Sequence, residues 1–156
     1  VEQAFATNGN GGHEEVEIVQ AVWDLDAAGD ALDLVATVGD EVVGHVLGSW
    51  GSLSQTAVIG VAPLAVSPAH QHVGVGSGLM ERLVATADAA GLPMLVLLGD
   101  PGYYQRFGFE PSGPYRIWYR PAGEHSPNFQ VRRLRSFRSD LAGEYVYSWE
   151  LPAATP

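Results

Sequence analysis

The chain has 156 residues, 46% of them apolar, enough to bury one full core in a single domain. Its 18 acidic residues face 8 basic ones, all arginine and none before Arg82, for a net charge of −10; such a field disfavours nucleic acid and anionic membranes and favours cationic partners, unless it serves solubility alone. No apolar run reaches the roughly 20 residues that span a bilayer, no basic-then-apolar leader is visible, and the absence of cysteine fits a cytoplasmic protein.

In chain order, the sequence starts at Val1 rather than Met, which leaves room for a preceding piece or a non-ATG start. "ATNGNGGHEE", Ala6 to Glu15, reads as a Gly/Asn loop, and Val16, Val19, Gln20 and Trp23 then repeat at helical spacing up to "AAGD". "LDLVATV" and "EVVGHVLGSW" are β-branched runs on either side of "GDE", the pattern of a hairpin. "TAVIGVAPLAVS" adds a third strand to the meander. Pro63 inside it lacks a ladder donor and marks a bulge or a strand that leaves its neighbour.

From Ser77 onward, Leu79, Leu83, Ala87 and Ala90 repeat as one face of a helix that stops at Gly91 and Pro93. "MLVLLG" is a continuous apolar run, hence a buried central strand, and a strand reached through a helix should lie parallel to the one before it. "PGYYQRFGF" predicts a short helix turning at Gly108. "YRIWYR", "FQVRRL" and "EYVYSWEL" are strand-like pieces between Pro/Gly loops, and "PAATP" reads as a frayed tail. The order predicts one α/β domain over residues 1–156, of the mixed α+β kind, with a single sheet.

"QHVGVGSG" crowds glycines between strand and helix, where the backbone must approach something closely. A Walker A loop would need a lysine after the glycines, and the chain has none. The dinucleotide pattern G-x-G-x-x-G would place its third glycine at Leu79. What remains is a loop in which Gly74 and Gly76 let successive amides converge, and the following helix adds partial positive charge.

Taken as Q-x-x-G-x-G, Gln71 to Gly76 resembles motif A of the GNAT superfamily of N-acetyltransferases. "PLAVSPAHQ" resembles that family's strand before the loop, and "LVLLGDPGYYQRFGFEP" the second half of its cofactor site, most like a small, mostly uncharacterised bacterial branch. The likeness runs from about Asp33 to Pro111. It implies a mostly antiparallel central sheet, splayed in the middle and flanked by helices. Against the family, the chain opens at what looks like the end of the first helix, so a first strand and part of that helix are expected to be missing. Asp100 and Pro101 stand where many members carry Asn, although this branch tolerates them.

The resemblance further implies that Gln71, His72, Val73, Gly74, Val75, Gly76 and Ser77 cradle the pyrophosphate of acetyl-CoA, while backbone groups of Leu64, Ala65 and Val66 hold its pantetheine arm. An amide at Ala65 or Val66 would polarise the thioester carbonyl. Tyr104, at the family's spacing before Gly108-Phe109, is the candidate general acid for the departing thiolate and a cofactor contact; its alternative is aromatic packing, and Tyr103 is its neighbour. His45 could take the amine's proton directly or through water, or be a satisfied sheet histidine, with ordered water as the base.

His70 and His72 form an H-x-H pair without a third ligand at useful spacing, so no metal is expected. Arg82 and Arg106 could meet the cofactor's 3′-phosphate or lie on the surface. "RRLRSFR" reads as a strand edge that pairs with the chain's own acids. Trp50, Trp118, Tyr115 and Tyr119 line an acceptor pocket or fill the core. The expected activity is direct transfer of acetyl to the primary amine of a small molecule. Its alternatives are a non-catalytic acyl-CoA sensor and transfer to a protein. Charge alone tilts the acceptor towards polyamine-like or aminoglycoside-like cations, and homodimers are common in the superfamily.

Overall fold

The β-branched runs of the first half build the middle of the sheet. A computed structural model describes residues 13–24 and 32–150; residues 6–12 of the loop expected over Ala6–Glu15, the helix end at Ala27–Asp30 and the tail at Pro152–Pro156 lie outside them, while the last three residues of that loop, 13–15, are already helix. Strands β1 (Leu32–Val38), β2 (Glu41–Leu53) and β3 (Thr56–Val66) form the antiparallel meander. The β2–β3 turn has Ser54 and Gln55 at φ 45° and 74°, the doubly left-handed turn whose twist suits a tight hairpin.

Pro63 sits at the expected irregularity. Val46 pairs with Leu64 and Gly48 with Val61, so β3 carries one more residue than β2 between these pairs. Strand β4 (Met94–Leu98) is parallel to β3, as its helical connection requires, but pairs with it only at Ile59–Leu95 and Gly60–Val96. Beyond Gly60 the two strands part.

Helix α2 (Val75–Ala89) covers one face with Leu79, Met80, Leu83 and Ala87. Gly44 permits that approach: a Cβ there would lie 2.9 Å from both Leu79 and Val75 side chains. Helix α1 (His13–Asp24) covers part of the other face, where Val19 and Val22 pack on Leu47. The helix expected from Ser77 starts two residues earlier, because Gly74 at φ 95° turns the chain into it.

The C-terminal third departs more from expectation. Of "YRIWYR" only Ile117–Trp118 is strand (β6), between single 3-10 turns opened by Pro114 and Pro121. Glu110–Pro111 forms an unexpected β5, which pairs with β7 (Phe129–Arg133), itself antiparallel to β4. Strand β8 (Gly143–Tyr147) returns to the centre and pairs with β2 at Gly51–Leu53, so that β1 and β8 share one edge of β2 end to end. The described strands follow the order β5-β7-β4-β3-β2-β8-β6, with β1 on β2: a mixed, mostly antiparallel sheet parted at β3–β4, as expected. No helix among the described residues is long and apolar enough to cross a membrane.

Candidate active site

The parting of β3 from β4 leaves backbone groups without a ladder partner. The Ser67 N–H donates to the Val43 carbonyl at 2.8 Å, and two-residue alternation then puts Ala65 in the ladder opposite His45 and turns the peptide groups of Leu64 and Val66 away from β2. One of these is used internally: Gln71 donates from Nε2 to the Val66 carbonyl at 3.0 Å. Gln71 thereby ties the glycine loop to the end of β3. The Leu64 groups and the Val66 N–H face the gap.

A cavity of about 280 Å³ lies there, lined by Leu64, Ala65, Val66, Gln71, His72, Gly76, Tyr103 and Tyr104. At its mouth the loop passes through left-handed His72 (φ 62°) and Gly74 (φ 95°) into α2. The amides of Val75, Gly76 and Ser77 open that helix, where no intrahelical acceptor exists for them and where an anion is favoured. Gly76 leaves room for Tyr103: a Cβ there would lie 2.7 Å from its hydroxyl. Val73 is 74% exposed and points out of the cavity, while Gly74 and Val75 line a groove with Arg82 on the outer side of the loop.

Tyr104 closes helix α3 (Pro101–Tyr104), which Asp100 caps by accepting the Gly102 N–H at 2.9 Å. The Asp100 side chain is thus committed to the helix start. The Tyr104 ring lies where a Gly99 side chain would be and packs against Tyr103 and Phe109 at 4.9 and 6.0 Å between centroids. Burial, reinforced by Tyr103 and Asp100, pushes its phenol up to about 12, so it is held as a proton donor. Tyr103 is raised by burial too, with Arg106 opposing; the Arg106 guanidinium lies 4.6 Å over its ring.

Leu64 and Tyr104 also wall a second cavity, of about 720 Å³, on the α1 side. Glu17, Ile18 and Ala21 of α1 form one side, Val61–Leu64 and Leu98–Asp100 the floor, and Tyr119, Tyr147, Trp149 and Glu150 the far wall. Glu150 is fixed by two donors, the Tyr119 hydroxyl at 2.6 Å and the Tyr147 N–H at 3.1 Å. The rings of Tyr147 and Trp149 stack at 4.3 Å.

Several residues singled out from the sequence lie elsewhere. His45 lines neither cavity; its Nε2 is 2.6 Å from Asp33 Oδ1, and Asp33 Oδ2 accepts from Trp23 Nε1 at 3.2 Å, which ties α1 to β1 and β2. Of the four aromatic residues considered for an acceptor pocket, Tyr119 lines this second cavity, whereas Trp50, Trp118 and Tyr115 do not. Tyr115 instead donates to Glu110 at 2.8 Å. The C-terminal arginines do pair with the chain's own acids: Arg133 with Glu110, Arg135 with Asp88 and Arg138 with Asp140. His70 and His72 gather no third ligand, and no group of three potential metal ligands exists among the described residues.

Sequence reasoning missed Tyr147, Trp149, Glu150 and Glu17. The alternation of Tyr145, Tyr147 and Trp149 in "EYVYSWE" was the available signal for an aromatic wall.

Known proteins are similar to this chain in sequence and fold. The acetyltransferase (GNAT) domain family matches residues 30–111. An uncharacterised N-acetyltransferase of Escherichia coli, YjhQ, is 32% identical over 144 residues, 88% of this chain and 80% of its own. The crystal structure of a GNAT family acetyltransferase from Brucella melitensis in complex with acetyl-CoA superposes with a TM-score of 0.75 at 30% identity, covering 94% of this chain and 83% of that one. E. coli YhbS in complex with CoA gives 0.72 at 32% identity, covering 82% and 73%. With its parted strands, glycine-loop helix start and buried tyrosine in one place, the chain belongs to the GNAT superfamily of acetyltransferases.

Proposed function

We propose that this acetyl-CoA-dependent N-acetyltransferase transfers the acetyl group directly to the primary amine of a small molecule within a ternary complex. The observation that carries the reading is that two cavities, one beside the glycine loop and one beside α1, share a wall made of Leu64 and Tyr104. A thioester held on one side and an amine on the other would meet there.

The residues present fit the cosubstrate. The outward peptide groups of Leu64 and the Val66 N–H would pair with a pantetheine arm as an added strand, and the first-turn amides of α2 would take the pyrophosphate. Of the two amides considered for the carbonyl, Val66 turns its N–H into the gap, whereas the Ala65 group belongs to the ladder with β2. As the neutral amine attacks the thioester carbon, the new C–N bond forms and the C–S bond breaks. The thiolate takes the Tyr104 proton, and the surplus proton on nitrogen passes to water, from which the phenol is restored. No cysteine exists to carry an acetyl-enzyme. His45, clasped by Asp33 and lining neither cavity, has a structural role in this reading. The cysteine-free composition supports a cytoplasmic setting.

The test is CoA release by the purified chain with acetyl-CoA and a panel of primary amines. Amine-dependent release is expected. Acetyl-CoA binding with no release from any amine would make the chain a sensor instead.

A further inference from the structure

Gln130 of β7 is a fully buried amide on an otherwise apolar face of the sheet. It pairs across the ladder with Leu97 of β4, so the two side chains leave the same side, and Leu97 packs in the cluster that holds Phe107, Phe109 and the ring of Tyr104. Burying an amide there costs more than burying an apolar side chain of the same size, unless its polar atoms find partners. Only the nitrogen finds them among the described residues. Nε2 donates to the Gly99 carbonyl at 3.0 Å and to the Asn128 carbonyl at 3.3 Å, while Oε1 has no partner. The side chain is thus half satisfied as a core amide and specific as a clamp on Gly99.

Gly99 is where that clamp matters. Its N–H donates to the Asn128 carbonyl at 2.9 Å and its carbonyl accepts from Gln130, so both backbone groups of the residue that leaves β4 are fixed from the β7 side. The Tyr104 ring occupies the place that a Gly99 side chain would take. The next residue, Asp100, caps α3 and accepts the Tyr104 N–H at its carbonyl, at 3.1 Å. Helix α3 is a single turn, too short to hold its own geometry, so its orientation comes from the residues that lead into it. Gln130 itself lines neither cavity. We propose that Gln130 is a positioning residue for the transfer: through the Gly99 carbonyl it sets the seat of the Tyr104 ring, and so the point from which the phenol presents its proton. The inference rests on Tyr104 as the acid of the acetyl-transfer reading.

The test uses Gln130→Met, which keeps the length of the side chain and removes the donor, with Gln130→Leu beside it. The full chain is isotopically labelled at the tyrosine Cζ for NMR, and the Tyr104 signal is identified by its loss in Tyr104→Phe. With the clamp gone, water reaches the phenol, and its titration midpoint should fall by about one pH unit towards the ordinary value, while the urea midpoint holds or rises. In CoA release with the panel amine that reacts fastest, kcat should fall about tenfold, with KM for acetyl-CoA within about twofold of the wild type. The same substitution in the Tyr104→Phe background should change kcat by less than about twofold. An unmoved Tyr104 titration, or an equal loss of kcat with and without the Tyr104 hydroxyl, overturns the inference. A lower urea midpoint with titration and kcat unchanged also overturns it, and reduces Gln130 to packing. The acid reading is judged apart: full kcat in Tyr104→Phe, with the titration shifted in Gln130→Met, removes the acid and leaves Gln130 as the residue that seats the ring.

Discussion

In the proposed reaction, Tyr104 is the residue on which the chemistry turns. Removing its hydroxyl in Tyr104→Phe keeps the ring over Gly99 and against Phe109, so acetyl-CoA affinity measured by calorimetry should change by less than about twofold while kcat falls on the order of a hundredfold. A large loss of affinity with kcat preserved would reassign the residue to binding. Because burial raises its phenol to about 12, the donor form persists through the alkaline range. The pH profile of kcat should therefore show no descending limb from this group below about pH 10. His45→Gln should leave kcat within about threefold; a hundredfold loss, comparable with a missing general base, would give the histidine a catalytic part. Tyr104 was legible in the sequence because its spacing to Gly108 and Phe109 is local. Gln71 was legible as part of the loop, but its bond to the Val66 carbonyl was not, since a motif does not say which way a side chain turns.

Among the elements, β8 shows what local pattern cannot encode. The strands and helices from Leu32 to Leu98 followed from periodicity, because each is long enough to repeat, and glycines mark the β1–β2 turn and both ends of α2; the β2–β3 turn at Ser54–Gln55 carries neither Gly nor Pro. The pairing of β8 with β2 joins segments about ninety residues apart, and it carries Tyr147, with Trp149 and Glu150 following, to the cavity beside α1. What the sequence did hold was the receiving side. Gly51 and Gly60 are dents in β2 and β3 filled by the Tyr145 hydroxyl, and a Cβ at Gly51 would also lie 2.6 Å from the Val146 carbonyl. Since that backbone atom cannot step aside, Gly51→Ala should cost about 3 kcal/mol in urea denaturation. A loss below about 0.5 kcal/mol would mean that β8 seats differently.

For the molecule as a whole, the aromatic packing sets the response to base. Burial raises Tyr104 to about 12 and holds Tyr145 and Tyr147 well above the usual phenol value. Their contribution is complete below the unfolded-chain value of about 10, and is lost as pH climbs from there towards the folded values, because only the unfolded chain then releases the protons. The urea midpoint should hold steady from about pH 7 to 9 and fall above about 10, with tyrosinate absorbance rising in step with the loss of near-ultraviolet dichroism. Tyrosinate absorbance that rises well before unfolding would contradict the buried state of these rings. The wall shared by the two cavities carries one more consequence, for the thermodynamics of the ternary complex. Leu64 and Tyr104 line both cavities, so in the proposed complex whatever order acetyl-CoA imposes on them is order the amine no longer has to supply. Linkage makes the debt mutual: the factor by which the first ligand alters the affinity of the second equals the factor in the reverse sequence, and titrations begun from either side must close on the same coupling constant.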